Sequence, residues 1–193
     1  MKRVLILLLL ATAIQLSSIQ VKAQSYFETE NIGTIKIGAG YTHDFPGLNG
    51  YTIAGEISKN IADRFQAAFG LKLINLNGYP RTQQVKEYTK AKTIDFNLFY
   101  IPFQTETQQF KIGLGYSFSM YNARRSYPIS HTPDIPTIEW PIQDLKGRTS
   151  GASVLAEYEY TPYESMFTYG VRAAIYKAYD GVFYVGPFVG VRL

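Results

Sequence analysis

From residue 30 onward the chain alternates apolar with small or polar residues in runs of about ten, the period of a β-strand with one apolar face. No long stretch carries the i, i+3, i+4 spacing of an amphipathic helix. Eight runs stand out, at residues 35–42, 51–58, 65–73, 93–100, 110–120, 153–160, 168–175 and 183–193. The fifth is the cleanest, with Phe110, Ile112, Leu114, Tyr116, Phe118 and Met120 set against Lys111, Gly113, Gly115, Ser117 and Ser119. The expected fold class is therefore all-β.

The charges give the two faces their meaning. Lys36, Glu56, Lys72, Asp95, Lys111, Glu157, Glu159, Arg172 and Arg192 all fall in the non-apolar phase, and none falls mid-strand in the apolar phase. A charge facing lipid at the bilayer midplane costs about 2–4 kcal/mol, so this segregation is what a lipid-facing exterior demands. A soluble sandwich would alternate as well, with its apolar face inward. The other face decides against it, because glycines, serines and charges of both signs suit a narrow interior better than a wetted surface. Five bases and four acids on that face are nearly balanced, which predicts a paired network filling the interior. The competing reading of the same residues is a narrow, porin-like path for ions or small solutes.

Connection lengths alternate too. Residues 59–63, 104–109 and 161–165 make short turns at one end. At the other end residues 44–49 and 178–181 are brief, whereas residues 78–91 and 122–148 form long loops. Short turns on one side and longer loops on the other are the rhythm of an up-and-down barrel. Tyr41, Tyr51 and Phe118 at the long-loop end, and Phe65, Tyr100, Phe110, Tyr158 and Tyr160 at the other, fit interfacial aromatic girdles.

The amino terminus adds a compartment. Lys2 and Arg3 precede an unbroken apolar run over residues 4–14, and Val21, Lys22 and Ala23 lead into Gln24, the three-part layout of a secretory signal peptide over residues 1–23. A run this short does not span a bilayer as an anchor. Removing Lys2, Arg3 and Lys22 from the 19 basic residues leaves 16 against 15 acids, so the formal +4 of the whole chain falls to +1. A basic nucleic-acid-binding protein loses its support with that charge. The chain has no cysteine and two histidines, which excludes disulfide scaffolds and thiol chemistry and leaves little for a metal. No cofactor is expected.

Signal peptide, eight alternating strands, alternating turn lengths and an amphipathic final strand at residues 183–193 together resemble the small bacterial outer-membrane β-barrels of the OmpA/OmpX type, over residues 24–193. The resemblance implies an eight-stranded antiparallel up-and-down transmembrane β-barrel in the cell outer membrane, inserted by the assembly machinery that reads the last strand. Two features depart from the pattern. The chain ends in Leu193 instead of an aromatic residue, and Pro187 lies within the last strand, where a lost ladder hydrogen bond predicts a bulge or register shift.

Candidate chemistry is confined to the loops. Arg124, Arg125 and Trp140, in a proline-rich stretch, offer an aromatic anchor with cationic neighbours for a surface ligand. Arg81, Lys86, Lys90 and Lys92 are placed for the phosphates of lipopolysaccharide. A lipid A-modifying enzyme would need a nucleophile and base, for which His43 with Asp44 and Ser130 with His131 are the available pairs, but neither has strand-fixed spacing. The expectation is a non-catalytic barrel with a structural or adhesive surface role.

Overall fold

The computed structural model describes residues 33–79, 86–126, 142–177 and 181–193. The leader at 1–23 lies outside these residues, as do Arg81, Ser130, His131 and Trp140. Eight strands follow in order: β1 (Thr34–Asp44), β2 (Asn49–Ala62), β3 (Phe65–Gly78), β4 (Glu87–Gln104), β5 (Gln108–Ser126), β6 (Ile142–Tyr160), β7 (Phe167–Tyr176) and β8 (Val182–Arg192). Each pairs antiparallel with its neighbours, and β1 pairs with β8 to close the barrel. The described residues contain no helix.

Closure requires the strands to be staggered. Starting at Tyr41 and following the pairing through Tyr51, Asn75, Lys90 and Asn122 leads to Lys146 on β6. Going the other way round, through Val185 and Ala173, leads to Ala156 on the same strand. The wall therefore climbs from β7 round to β6. The outer half of β6 pairs with β5 alone, since β7 reaches it only as far up as Ser153.

The phase of the strands is the predicted one. Ile37, Leu71, Phe96, Leu114, Val154, Val171 and Val189 point outward and are exposed, with Leu114 67% exposed in the middle of β5. The inward phase holds the buried charges together with Phe99, Ile101, Leu155 and Phe188, so the interior is partly apolar. Gly113 makes room for one of these: a Cβ there would lie 2.7 Å from the Phe99 ring.

Two expectations are corrected. The long connections are shorter than the alternation implied, because β4 begins at Glu87, β5 continues to Ser126 and β6 begins at Ile142. The chain between the last two spans residues 127–141, so Asn122 to Ser126 and Ile142 to Arg148 are paired strand instead of loop. Nor does Pro187 shift the register. Gly38 pairs with Phe188 and Tyr41 with Val185 in one unbroken count, and only the pairing of Ala39 and Gly40 is missing. On the β7 side Val171 still faces Pro187. The lost proline donor is confined to the β1 side, where Gly38, Gly40 and Gly186 let the backbones pass closely. The register irregularities occur elsewhere, near the short turns, between Asn60 and Ala62 and between Tyr100 and Phe103.

Candidate functional site

The lumen is crossed by side chains from opposite walls. Lys36 on β1 extends its Nζ to Glu157 at 2.6 Å and Glu159 at 2.7 Å, both on β6. Lys111 on β5 donates to the same Glu159 oxygen at 2.6 Å and to Gln66 at 3.0 Å. Arg172 on β7 forms two hydrogen bonds of 2.7 Å with Glu56 on β2, and its Nε donates to Glu157 at 2.8 Å. A bidentate guanidinium–carboxylate pair fixes geometry as well as charge. Nearer the outer end, Lys72 on β3 sits 2.6 Å from Asp95 on β4 and donates to the Tyr176 hydroxyl of β7 on the facing wall. Ser117 donates to the other oxygen of Asp95 at 2.6 Å.

Four cations thus meet four carboxylates, all of them buried. The structure brings together eight of the nine residues expected inside. Arg192 stands apart at the inner mouth, half-buried, where it donates to the Thr161 hydroxyl at 2.7 Å. Its position as the last residue of β8 puts it below the carboxylates.

A second closure, which the sequence did not announce, lies at the outer mouth. Arg125 is buried, and its Nη2 donates at 2.8 Å to Asp44 on the opposite wall. Its Nη1 approaches Glu87 at 3.7 Å, and Ser126 donates to the same Glu87 side chain. Asp44 also accepts the backbone N–H groups of Gly47 at 3.0 Å and Leu48 at 2.6 Å, which holds the β1–β2 turn under the guanidinium. Arg125 is therefore a strut across the lumen and not a surface contact, because the extension of β5 turns it inward. Its only advance signal was position: it shares the inward phase of β5 with Lys111, Ser117 and Ser119, which the loop assignment hid.

Arg124, one residue earlier, faces out. It pairs with Asp144 on β6 at 2.9 Å and lies over the Tyr88 ring. That hydrogen bond holds the exposed Asp144 carboxyl below the usual carboxylate range. Lys90 and Lys92 are exposed on the outward face of β4, and Lys86 is exposed just before it. His43 and Asp44, adjacent on β1, take opposite faces: the His43 Nδ1 is 2.9 Å from the Asn49 side-chain oxygen, while Asp44 is committed to Arg125. They do not form a base and an acid in one site.

Between the two closures the lumen narrows to small cavities. One of about 40 Å³ lies under Arg125, among Ile74, Leu76, Ala91, Tyr121 and Val182. Another of about 20 Å³ lies beside Lys36, Glu56, Lys72 and Arg172. The latter has space for a single water molecule and little more. Among the described residues no cluster of three or more His, Asp or Glu side chains is arranged for a metal.

No family model matches the chain, and no curated protein matches it in sequence. Solved structures do match in shape. Ail, the attachment invasion locus protein of Yersinia pestis, superimposes over 83% of this chain and 97% of its own with a TM-score of 0.51 and 11% identity. Neisserial surface protein A covers the same share of this chain and 97% of its own, with a TM-score of 0.50 and 15% identity. Both are eight-stranded outer-membrane barrels. At such identities the likeness is one of architecture, and it agrees with the lipid-facing exterior read from the residues: this chain has the fold of the eight-stranded outer-membrane β-barrels.

Proposed function

We propose that the protein is a closed outer-membrane barrel whose role is structural or adhesive, the barrel holding a raised outer wall above the membrane. The observation that carries this reading is the pair of lumen closures, Lys36 and Arg172 with their carboxylates near the centre and Arg125 with Asp44 at the outer mouth. A conduit needs a continuous wetted path, and struts from facing walls interrupt it at both levels. What remains for interaction with the surroundings is the outside. The β5–β6 hairpin rises highest and carries residues 127–141, with Arg124 and Asp144 on its outer face.

The attachment function in the name of Ail belongs to that protein; it is in keeping with a surface role here. Of the two nucleophile–base pairs the sequence offers, His43 and Asp44 diverge, and Ser130 and His131 lie outside the described residues.

Planar-bilayer recording of the purified barrel tests the closure. We expect no stable unitary conductance, and a steady open level at neutral pH would replace this reading with the porin-like one. Adhesion of cells displaying the protein should fall when residues 127–141 are replaced by a short Gly-Ser link, with the barrel still folded.

A further inference from the structure

On the outward face of β4, β5 and β6, two successive cross-strand rows lie immediately above the apolar belt. One row is Lys92, Met120, Arg148 and the next is Lys90, Asn122, Lys146. Lys90, Lys92, Lys146 and Arg148 are all exposed there. Two strand spacings separate the cations across each row and two residues separate them along each strand, so their backbones mark a rectangle of about 10 by 7 Å. The floor is apolar: below the rows come Ile94, Phe118 and Ser150, and then Phe96, Tyr116 and Ala152. The roof is the next row up, Tyr88, Arg124 and Asp144, where the Asp144 carboxylate is already paired with Arg124.

Among the described residues no carboxylate is paired with the four cations. Lys177, exposed at the end of β7 with its backbone N–H bonded to Ala152, adds a fifth positive charge at the side. The charge is also one-sided. Followed along the same cross-strand row onto β3, β2 and β1, the wall presents Asn75, Tyr51 and Tyr41, with Asn49 bonded to Tyr41, a hydrogen-bonded neutral group. Diffuse counter-charge for an anionic leaflet would ring the barrel. A neutral face opposite a four-cation frame on an apolar floor fits one bound lipid.

We infer that the β4–β6 face, framed by Lys90, Lys92, Lys146 and Arg148, is a binding site for the headgroup of a diphosphorylated glycolipid of the outer leaflet, its acyl chains lying against Ile94, Phe96 and Phe118. Three of these cations, Lys90, Lys146 and Arg148, lie in stretches that alternation alone assigned to loops, and strand pairing is what assembles the frame. The inference rests on the membrane-barrel reading.

The test is native mass spectrometry of the refolded full barrel released from detergent, with four probes: diphosphorylated lipid A, its dephosphorylated form, phosphatidylglycerol and inorganic phosphate. The wild type should retain one diphosphorylated lipid A and neither the dephosphorylated lipid nor inorganic phosphate. The variant carrying Lys90→Gln, Lys92→Gln, Lys146→Gln and Arg148→Gln should lose retention by about tenfold or more, and Lys92→Gln with Arg148→Gln alone should fall between. Lys59→Gln with Arg64→Gln at the other end of the barrel should change nothing. Equal retention of the dephosphorylated lipid or of phosphatidylglycerol, or an unaffected four-site variant, overturns the site. Gel migration of the same samples, boiled and unboiled, keeps the two claims apart: a folded barrel without lipid preference removes the site alone, and a wild type that never folds in detergent removes the barrel reading with it.

Discussion

Glu157 is the residue on which the lumen turns. Its carboxylate serves Lys36, Lys111 and Arg172 at once, with Lys36 at 2.6 Å and Lys111 at 3.3 Å. Such a group adds little net stability when the whole network is compared with an apolar core, but removing one partner leaves buried charge behind. Glu157→Ala should therefore destabilise the barrel by about 3–5 kcal/mol, read as a fall in the urea midpoint in lipid vesicles. A loss below 1 kcal/mol would mean that water reaches the network. On the outside the sign of preference reverses. Leu114→Arg, in the middle of the belt, should cost about 2–4 kcal/mol, whereas Ser117→Ala on the same strand removes one bond to Asp95 and should cost about 1 kcal/mol. Beyond the belt, Asp144 should titrate below the ordinary aspartate value of about 3.9, with Arg124→Gln bringing it back up; an NMR titration of the carboxyl carbon reads both.

Strands were easiest to read where lipid constrains them. Within the belt each outward residue must be apolar and each charge must turn in, so residues 110–120 declared both their phase and their type. Above the belt that constraint ends. Lys90, Asn122, Lys146 and Arg148 sit on outward positions of well-paired strands, yet their polarity reads as loop. The inward strut Arg125 was lost with them, and its partner Asp44 lies 81 residues away, a pairing that no local pattern contains. The interior cations and acids could be named from phase alone, but which pairs with which depends on the stagger of the ring. Pro187 shows the converse, a local rule overruled by context. Glycines on both strands absorb the missing donor, so the register holds. Pro187→Val should restore a ladder bond between β8 and β1 and raise the stability read from urea unfolding by about 1 kcal/mol. A loss of that size would show that the proline is needed to keep the glycine-lined backbones apart.

Taken whole, the molecule is a closed ring of strands with an uneven rim. Salt bridges between facing walls fill the centre, Arg125 closes the outer mouth, and the wall rises from β7 round to the β5–β6 hairpin. The near-neutral charge of residues 24–193 is distributed by this geometry. Most acids of the described residues are inside or at the inner turns, and four exposed cations, Lys90, Lys92, Lys146 and Arg148, gather on one outward face. All of this depends on the ring standing in a bilayer with its apolar phase against lipid. The direct measurement is gel migration of the protein extracted in mild detergent from cell membranes, loaded with and without boiling. A β-barrel held by closed pairing resists the detergent until heated, so the unboiled protein should come from the outer-membrane fraction and migrate apart from the boiled form. Identical migration of the two, with the protein recovered in the soluble fraction, would contradict the account.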